Sequence, residues 1–140
     1  MHFLDITLPQ LREDEGLKLK AYKDSVGVWT IGYGTNLQEL EIDRATAENW
    51  LQRRVSIAIH DAGQFVKNFQ SLDEIRKSVL VNMAYNLGLD RLSKFVRLKA
   101  AVESKNWELA AKSMRESKWH TQVGKRAIRL EKMMLLGTMP

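Results

Sequence analysis

The spacing of the apolar residues changes once along the chain, and this change constrains the fold more than any other feature of the sequence. Residues 17–22 alternate apolar and polar side chains, and residues 28–34 are β-branched, aromatic or glycine, so two strands are predicted. The segment 23–27 between them is rich in turn-forming residues. From Asp43 onward the apolar residues recur at helical spacing. The sequence therefore predicts an α+β fold, in which a small N-terminal sheet lobe precedes a long connecting helix and a helical C-terminal lobe.

Helix ends are predicted from capping residues. Thr7 starts a Thr-x-x-Gln capping box, so a first helix is predicted to begin there and to end before Gly16. Ser71 starts a second capping box, and its helix is predicted to end at Gly88. Residues 35–42 are predicted to form an irregular connection. Further helices are predicted over 45–65, 91–103, 106–116 and 125–136.

Length and composition limit the classes of protein to consider. The 140 residues, 44% of them hydrophobic, suit one compact domain. The chain has no cysteine, which excludes disulfides, thiolate metal sites and a cysteine nucleophile. No apolar run approaches the ~20 residues of a membrane-spanning helix. Residues 1–14 lack the pattern of a secretory signal, so we expect the chain to accumulate in the cytoplasm where it is made.

The charge is distributed unevenly along the chain. Residues 1–70 contain 8 Lys/Arg and 10 Asp/Glu, a balance of −2, whereas residues 71–140 contain 14 and 7, a balance of +7. Such a basic half favours a polyanionic partner. Nucleic acid, an anionic membrane and an acidic cell-wall polymer all fit, and charge alone does not choose among them.

Polar residues useful to an enzyme are concentrated near the predicted sheet. Glu15 lies at the end of the first helix, Asp24 lies in the turn nine residues later, and Thr30 lies in the second strand six residues further. Taken singly, each has an ordinary structural explanation as a helix, turn or strand residue. The position of Glu15 at the end of a helix favours a catalytic role. The negative end of a helix dipole favours a protonated carboxyl, and a general acid must carry a proton.

These residues form part of a longer motif. Glu15-Gly16 is followed by Tyr22-Lys23-Asp24, then Gly27, then Thr30-Ile31-Gly32-Tyr33-Gly34. This pattern resembles the signature of the phage-type lysozymes, the T-even phage endolysin family, whose catalytic Glu, Asp and Thr have the same spacing. The resemblance continues through residues 71–138 without a gap, and there it rests on Ser71-Leu72-Asp73, Asn82-Met83, Trp107, Ala110-Ala111, Ser117-Lys118-Trp119, Arg126-Ala127 and Arg129.

The resemblance implies a muramidase that hydrolyses the β-1,4 bond between N-acetylmuramic acid and N-acetylglucosamine in peptidoglycan. Glu15 matches the general acid of the family. Asp24 matches the carboxylate that activates or orients water, and Thr30 the hydroxyl that helps to hold that water. The family is described as inverting, which predicts carboxyl groups roughly 6.5–9.5 Å apart. No metal or cofactor is implied.

Other matched residues have supporting roles in the family. Arg126 matches an arginine that pairs with the catalytic glutamate, and Tyr85 matches an aromatic residue of the sugar groove. Asn36, Asn86 and Ser113 match polar groove positions more loosely. The alternatives are a basic residue on a solvated helix face for Arg126 and core packing for Tyr85. Four larger apolar matches are predicted to be core residues: Met83, Phe95, Trp107 and Trp119.

The chain departs from the family in two places. Thr35 follows the Gly-Tyr-Gly segment where the family often has histidine, so any ion pair of that histidine is absent. The connection between Thr35 and the long helix is shorter than in the T-even type, which predicts the loss of one helix and a smaller cleft lip. The Asn36 assignment depends most on this part of the chain.

The resemblance predicts a single lysozyme-like catalytic domain, 1–140. Its N-terminal lobe would cover about 14–45, and its C-terminal helical lobe about 66–140 together with 1–13. The implied biology is that of a monomeric endolysin, which accumulates in the host cytoplasm and reaches peptidoglycan after a holin-type protein has opened the membrane.

Three further hypotheses stay open, of which one adds to that function and two would replace it. The last helix, 125–136, places apolar residues beside cations, so weak contact with anionic envelope lipids is one hypothesis and simple docking onto the core is the other. A small basic helical nucleic-acid-binding protein would account for the charge but would leave Glu15, Asp24 and Thr30 without a role. A catalytically degenerate lysozyme is the third.

Overall fold

The computed structural model describes all 140 residues and divides them into two compact units, 1–47 and 48–140. The first unit holds a helix and a three-stranded antiparallel sheet, and the second is helical, so the predicted α+β fold is confirmed. The elements are α1 (Leu4–Glu15), β1 (Lys18–Lys23), β2 (Trp29–Gly32), β3 (Thr35–Asn36), α2 (Arg44–Phe65), α3 (Glu74–Leu92), α4 (Val96–Glu103), α5 (Trp107–Arg115), α6 (Lys118–Val123) and α7 (Lys125–Leu136).

Helix α1 begins earlier than its capping box predicted. The helix starts at Leu4, and Thr7 lies inside it with its Oγ1 donating to the Phe3 carbonyl at 3.1 Å. The prediction of a start at Thr7 is wrong because an internal threonine can bond its hydroxyl to a carbonyl one turn back instead of capping. The predicted end is confirmed, since the Gly16 N–H caps the Arg12 carbonyl at 3.1 Å with a positive φ of 69°.

The sheet has three strands in the order β1-β2-β3, all antiparallel. Strand β2 is central, and its Thr30 lies opposite both Tyr22 of β1 and Asn36 of β3. The predicted irregular connection 35–42 was therefore wrong at its start, where two residues add a short edge strand. Two residue pairs are too few to produce a periodic signal in the sequence, and this strand exists only through its pairing with β2.

The long helix α2 is confirmed, and the next helix has a different cap from the predicted one. Asp73 caps α3, since its carboxylate accepts from the Arg76 N–H at 3.0 Å. Ser71 instead ends a single 3-10 turn and donates to the Asn68 carbonyl at 2.9 Å. Gly88 interrupts the helix with φ 76°, as predicted, but helical geometry resumes beyond it to Leu92.

The C-terminal helices follow the predicted pattern with two differences. Helix α4 begins at Val96, because residues before it complete α3 and a turn, and the short helix α6 was not predicted. Ser117 caps α6 by accepting from the His120 N–H at 3.2 Å. Helix α7 ends before Gly137, which has a left-handed φ of 66°, as predicted.

All buried hydrophobic side chains of the protein belong to the second unit. Phe65 of α2 packs there with residues of α3 to α7. The larger of these core side chains that are fully buried include Leu80, Met83, Leu92, Leu98, Met114 and Leu130. Helix α7 contributes Ala127, Leu130, Met133 and Met134, which confirms that it completes the core. None of the helices combines the length with the apolar composition that crossing a bilayer requires.

Candidate active site

Glu15 is presented by the C-terminal end of α1, within the first unit. It is the last residue of the helix and is exposed to solvent. Its carboxylate lies against the backbone of Gly34, so close that a Cβ added at residue 34 would lie 2.7 Å from Glu15 Oε2. Gly34 also has a φ of 76°. The positive φ favours glycine at position 34, and a Cβ added there would displace the Glu15 carboxylate.

Asp24 is held rigidly in the turn that joins β1 to β2. Its Oδ1 accepts from the backbone N–H groups of Val26 at 3.0 Å and Val28 at 2.8 Å. Its own N–H donates to the Val28 carbonyl at 2.9 Å, so the turn is closed from both sides. Oδ2 makes no hydrogen bond within the protein. One oxygen of the carboxylate is thus used for positioning, and the other is free to accept a hydrogen bond from water or substrate.

Thr30 is the one buried polar residue of the protein, with 5% of its surface exposed. Its Oγ1 donates to the Val28 carbonyl at 2.9 Å, and Val28 is also the residue whose N–H binds Asp24. With its proton engaged, the Thr30 hydroxyl can act toward a bound water only as an acceptor. Asp24 and Thr30 are therefore tied to the two polar groups of one residue, Val28, which couples their positions.

Asn36 lies next to Thr30 across the sheet. The two residues are directly opposite in the β2-β3 register, so their side chains are on the same face. Asn36 Oδ1 accepts from the Gln38 N–H at 2.9 Å, which leaves the side-chain NH₂ as a donor. The first unit thus brings Glu15, Asp24, Thr30 and Asn36 onto one helix end and one small sheet, and their role as substrate contacts stays a prediction.

In the second unit, Arg126 is bound to a neighbouring helix. Its Nε donates to Asn82 Oδ1 at 2.8 Å, and its Nη2 donates to the Asn82 carbonyl at 3.2 Å. These two bonds fix the guanidinium plane between α7 and α3. They leave further N–H groups of Arg126 for a carboxylate, as the predicted role requires, and that role stays a prediction.

Tyr85 is half-buried on α3, and it lies beside a cation that the sequence did not predict to be near it. The Arg54 guanidinium of α2 lies 5.0 Å from the centre of the Tyr85 ring, which is a cation–π contact. Both residues line a small cavity of about 90 Å³. A single arginine on a long helix has no sequence pattern that would reveal such a partner, so only the packing of α2 on α3 could identify Arg54.

The side chains of the other two predicted groove residues are hydrogen-bonded within the protein. Asn86 Oδ1 accepts from Trp119 Nε1 at 2.8 Å, and Ser113 Oγ donates to the Ala110 carbonyl at 2.8 Å. Trp119 is 4% exposed and is a core residue as predicted, and Phe95, which packs edge-on against it, is partly buried. Asn86 and Ser113 have identified structural partners, and their contact with substrate stays a prediction.

The elements of the first unit and the helical second unit together define a lysozyme-like α+β architecture. The sequence profile described as "Phage lysozyme" matches residues 12–132. Because this match covers far more than half of the chain, the protein belongs to the phage lysozyme family.

Similar curated proteins support the same assignment. "Probable T4-type lysozyme 2" of Dictyostelium discoideum is 29% identical over 158 aligned positions, which cover 92% of this chain and 93% of that protein. "Probable T4-type lysozyme 1" of the same organism is also 29% identical, with the same coverage. "Pre-baseplate central spike protein Gp5" of Enterobacteria phage T4 is 29% identical over 157 positions, covering 92% of this chain but 27% of that protein. Each alignment is longer than the chain, so these relatives have residues that this chain lacks.

Proposed function

We propose that the protein is a muramidase, which hydrolyses the β-1,4 bond between N-acetylmuramic acid and N-acetylglucosamine. Membership of the phage lysozyme family implies a peptidoglycan substrate. The observation that carries the finer proposal is the constrained pair of carboxylates, Glu15 against Gly34 and Asp24 in its closed turn. Two carboxyl groups with different environments are what glycoside hydrolysis requires.

In the proposed reaction the two carboxyl groups have separate tasks. Glu15, exposed and free of hydrogen bonds, donates its proton to the glycosidic oxygen as the bond from that oxygen to the anomeric carbon breaks. Asp24 Oδ2 accepts a proton from a water molecule, whose oxygen bonds to the anomeric carbon. Thr30 Oγ1 accepts a hydrogen bond from the other O–H of that water, which stays intact, and so orients the attacking lone pair. The proton balance is complete, since Glu15 ends ionised and Asp24 ends protonated.

Replacing the proton donor is the direct test. Glu15→Gln keeps the size of the side chain but removes the transferable proton, so we expect clearing of purified peptidoglycan to fall about 100- to 10,000-fold. Glu13→Gln, on the same exposed helix, is the matched control and should clear at the wild-type rate. Equal clearing by the wild type and Glu15→Gln would overturn the assignment of Glu15. Salt-dependent DNA binding without any clearing would instead support the nucleic-acid alternative.

We propose an inverting mechanism, because a water molecule positioned by Asp24 and Thr30 attacks from the face opposite to the leaving group. Hydrolysis of the β-linkage should then release the α-anomer first. Proton NMR of the fresh reducing ends distinguishes the anomers before they equilibrate. Initial release of the β-anomer would exclude inversion, and an anhydro sugar product would show a transglycosylase.

We further propose that the protein acts as a monomeric endolysin, held in the cytoplasm until a holin-type protein opens the membrane. Bacteria that express the chain should clear only when a membrane-permeabilising agent is added. Clearing without the agent would overturn this requirement. The separate hypothesis that α7 contacts anionic lipids rests on its exposed Ile128 and Leu136, and leakage from anionic vesicles caused by Glu15→Gln protein would test it.

A further inference from the structure

Tyr22 of β1 is a neighbour of both residues that hold water in the proposed reaction. It precedes Asp24 by two residues and lies directly opposite Thr30 in the antiparallel pairing of β1 with β2. Side chains opposite each other in such a pair lie on the same face of the sheet, with Cβ atoms about 4.5–5.5 Å apart. Asn36 lies opposite Thr30 on its other side. Thr30 is therefore flanked on both sides, and its larger neighbour is Tyr22.

Burial distinguishes the two faces of this sheet. Tyr22 is half-buried, whereas every other residue of β1 is exposed. On β2, Thr30 is buried and the preceding Trp29 is exposed. Trp29 belongs to the opposite face, where the Lys23 ammonium lies 5.4 Å from the centre of its ring. Each face thus has one aromatic side chain, and only that of Tyr22 lies on the face of Thr30.

The part of Tyr22 that can influence its neighbours is the ring. The Tyr22 hydroxyl makes no hydrogen bond within the protein, so no bond from this group fixes Asp24 or Thr30. Aromatic and β-branched side chains form favourable cross-strand pairs, because the ring packs against the branched side chain. Any effect of Tyr22 on Thr30 must therefore come from packing of its ring.

The proposed reaction depends on one rotamer of Thr30. Its Oγ1 acts as an acceptor for the attacking water only while its own proton is donated to the Val28 carbonyl, at 2.9 Å. Rotation to another staggered rotamer would break this bond and move the acceptor. The first unit has no buried hydrophobic side chain that could prevent such a rotation. The side chains beside Thr30 on the sheet are left to prevent it.

We propose that Tyr22 is a positioning residue, whose ring holds the Thr30 side chain in the rotamer that accepts a hydrogen bond from the attacking water. The ring occupies the space into which Thr30 would otherwise turn. Tyr22 transfers no proton in this role and forms no bond to the substrate. The inference rests on the proposed function, because it concerns the water molecule of that reaction.

Steady-state hydrolysis of soluble peptidoglycan fragments by Tyr22→Ala tests the effect on catalysis. We expect kcat to fall about 10- to 100-fold, because the attacking water is less well oriented, and KM to stay within about twofold of the wild type. Tyr22→Phe keeps the ring and should retain kcat within about twofold. The matched control, Trp29→Ala, removes a larger ring from the opposite face of the same sheet and should keep the kcat of the wild type.

NMR three-bond couplings of Thr30 report its rotamer without depending on catalysis. They should indicate one staggered rotamer in the wild type, Tyr22→Phe and Trp29→Ala, and averaging over several in Tyr22→Ala. A single rotamer in Tyr22→Ala, an unchanged kcat in that variant, or equal losses of kcat in Tyr22→Ala and Tyr22→Phe would overturn this inference alone. A wild-type protein that hydrolyses no fragment would overturn the proposed function, and this inference with it.

Discussion

The two units of the protein contrast in where they bury side chains and where they place reactive groups. The unit 1–47 contains a single buried residue, Thr30, and the three predicted catalytic residues. The unit 48–140 contains every buried hydrophobic residue. Their charges also differ, with 5 Lys/Arg against 8 Asp/Glu in the first unit, or −3, and 17 against 9 in the second, or +8.

This contrast predicts that stability and catalysis depend on different parts of the chain. In the first unit, backbone hydrogen bonds around Val28 and the close contact of Glu15 with Gly34 determine the geometry of the site. In the second unit, burial of apolar side chains dominates, which is the main favourable contribution to folding. Substitutions should therefore affect the two properties separately, and four measurements test this expectation.

The largest expected effect on stability is in the second unit. Leu80→Ala removes a fully buried side chain of α3 and should lower the free energy of unfolding by about 2–5 kcal/mol. Leu19→Ala, in β1 of the first unit, removes a leucine that is 82% exposed and should change it by less than about 0.5 kcal/mol. Urea unfolding followed by tryptophan fluorescence measures both. Equal losses would show that the sheet is as important to stability as the helical core.

The next effect is on activity and concerns the first unit. Gly34→Ala forces a Cβ to 2.7 Å from Glu15 Oε2, so the carboxylate must move, and we expect a loss of clearing activity of about 100-fold. Gly88→Ala is a matched control, because Gly88 has the same φ of 76° but no atom within 4 Å of an added Cβ. Both variants should lose about 1–3 kcal/mol of stability to backbone strain, because a side chain rarely adopts these positive φ angles. Comparable activity losses in the two would assign the effect to strain alone.

A variant with a smaller expected effect tests whether Asn86 stabilises the fold. Asn86→Ala leaves the N–H of the nearly buried Trp119 without a partner, which should cost about 1–3 kcal/mol of unfolding free energy. In a Trp119→Phe background, where that N–H is absent, the same change should cost much less. Additive losses would show that the hydrogen bond contributes nothing. A loss of activity beyond the loss of stability would instead support the predicted substrate contact.

The smallest effect should appear in acid. The Lys67 backbone N–H, with Lys99, holds the pKa of Glu103 below its ordinary value of 4.5, and hydrogen bonds from Thr46 hold the pKa of Asp43 below 3.8. A depressed pKa in the folded state contributes stability above the unfolded value, and that stability is lost as the pH falls through the folded pKa. Glu103→Gln should therefore flatten the decline in stability below pH 4.5, and Asp43→Asn should flatten it only below about pH 3.8. Unchanged acid profiles in both variants would contradict these assignments.

Prediction from the sequence worked best where a local pattern repeats or where glycine must end a helix. The helix 45–65, the end of α1 at Gly16 and the end of α7 at Gly137 depend on side chains close in sequence. The cap at Ser71 was wrong because Asp73, two residues later, accepts from the helix N–H instead, and the cap at Thr7 was wrong because Thr7 lies inside its helix. Helix α6 is too short to produce a periodic signal.

The single catalytic domain, 1–140, stays a prediction. The structure groups one element, α1, with a different part of the chain from the predicted one. Residues 1–13 were assigned to the helical lobe, whereas α1 lies in the first unit with the sheet. An exposed helix without a buried residue has no strong sequence signal for its packing partner.

The sequence alone determined the class of fold, the family resemblance and the three candidate catalytic residues, because these depend on residue types at fixed spacing along the chain. Only the tertiary structure shows that a side chain at position 34 would displace the Glu15 carboxylate, that Val28 links Asp24 to Thr30, and that Arg54 lies beside Tyr85. These relations join residues that are distant in sequence. Their energies depend on contacts, hydrogen bonds and burial, which do not exist until the elements have packed.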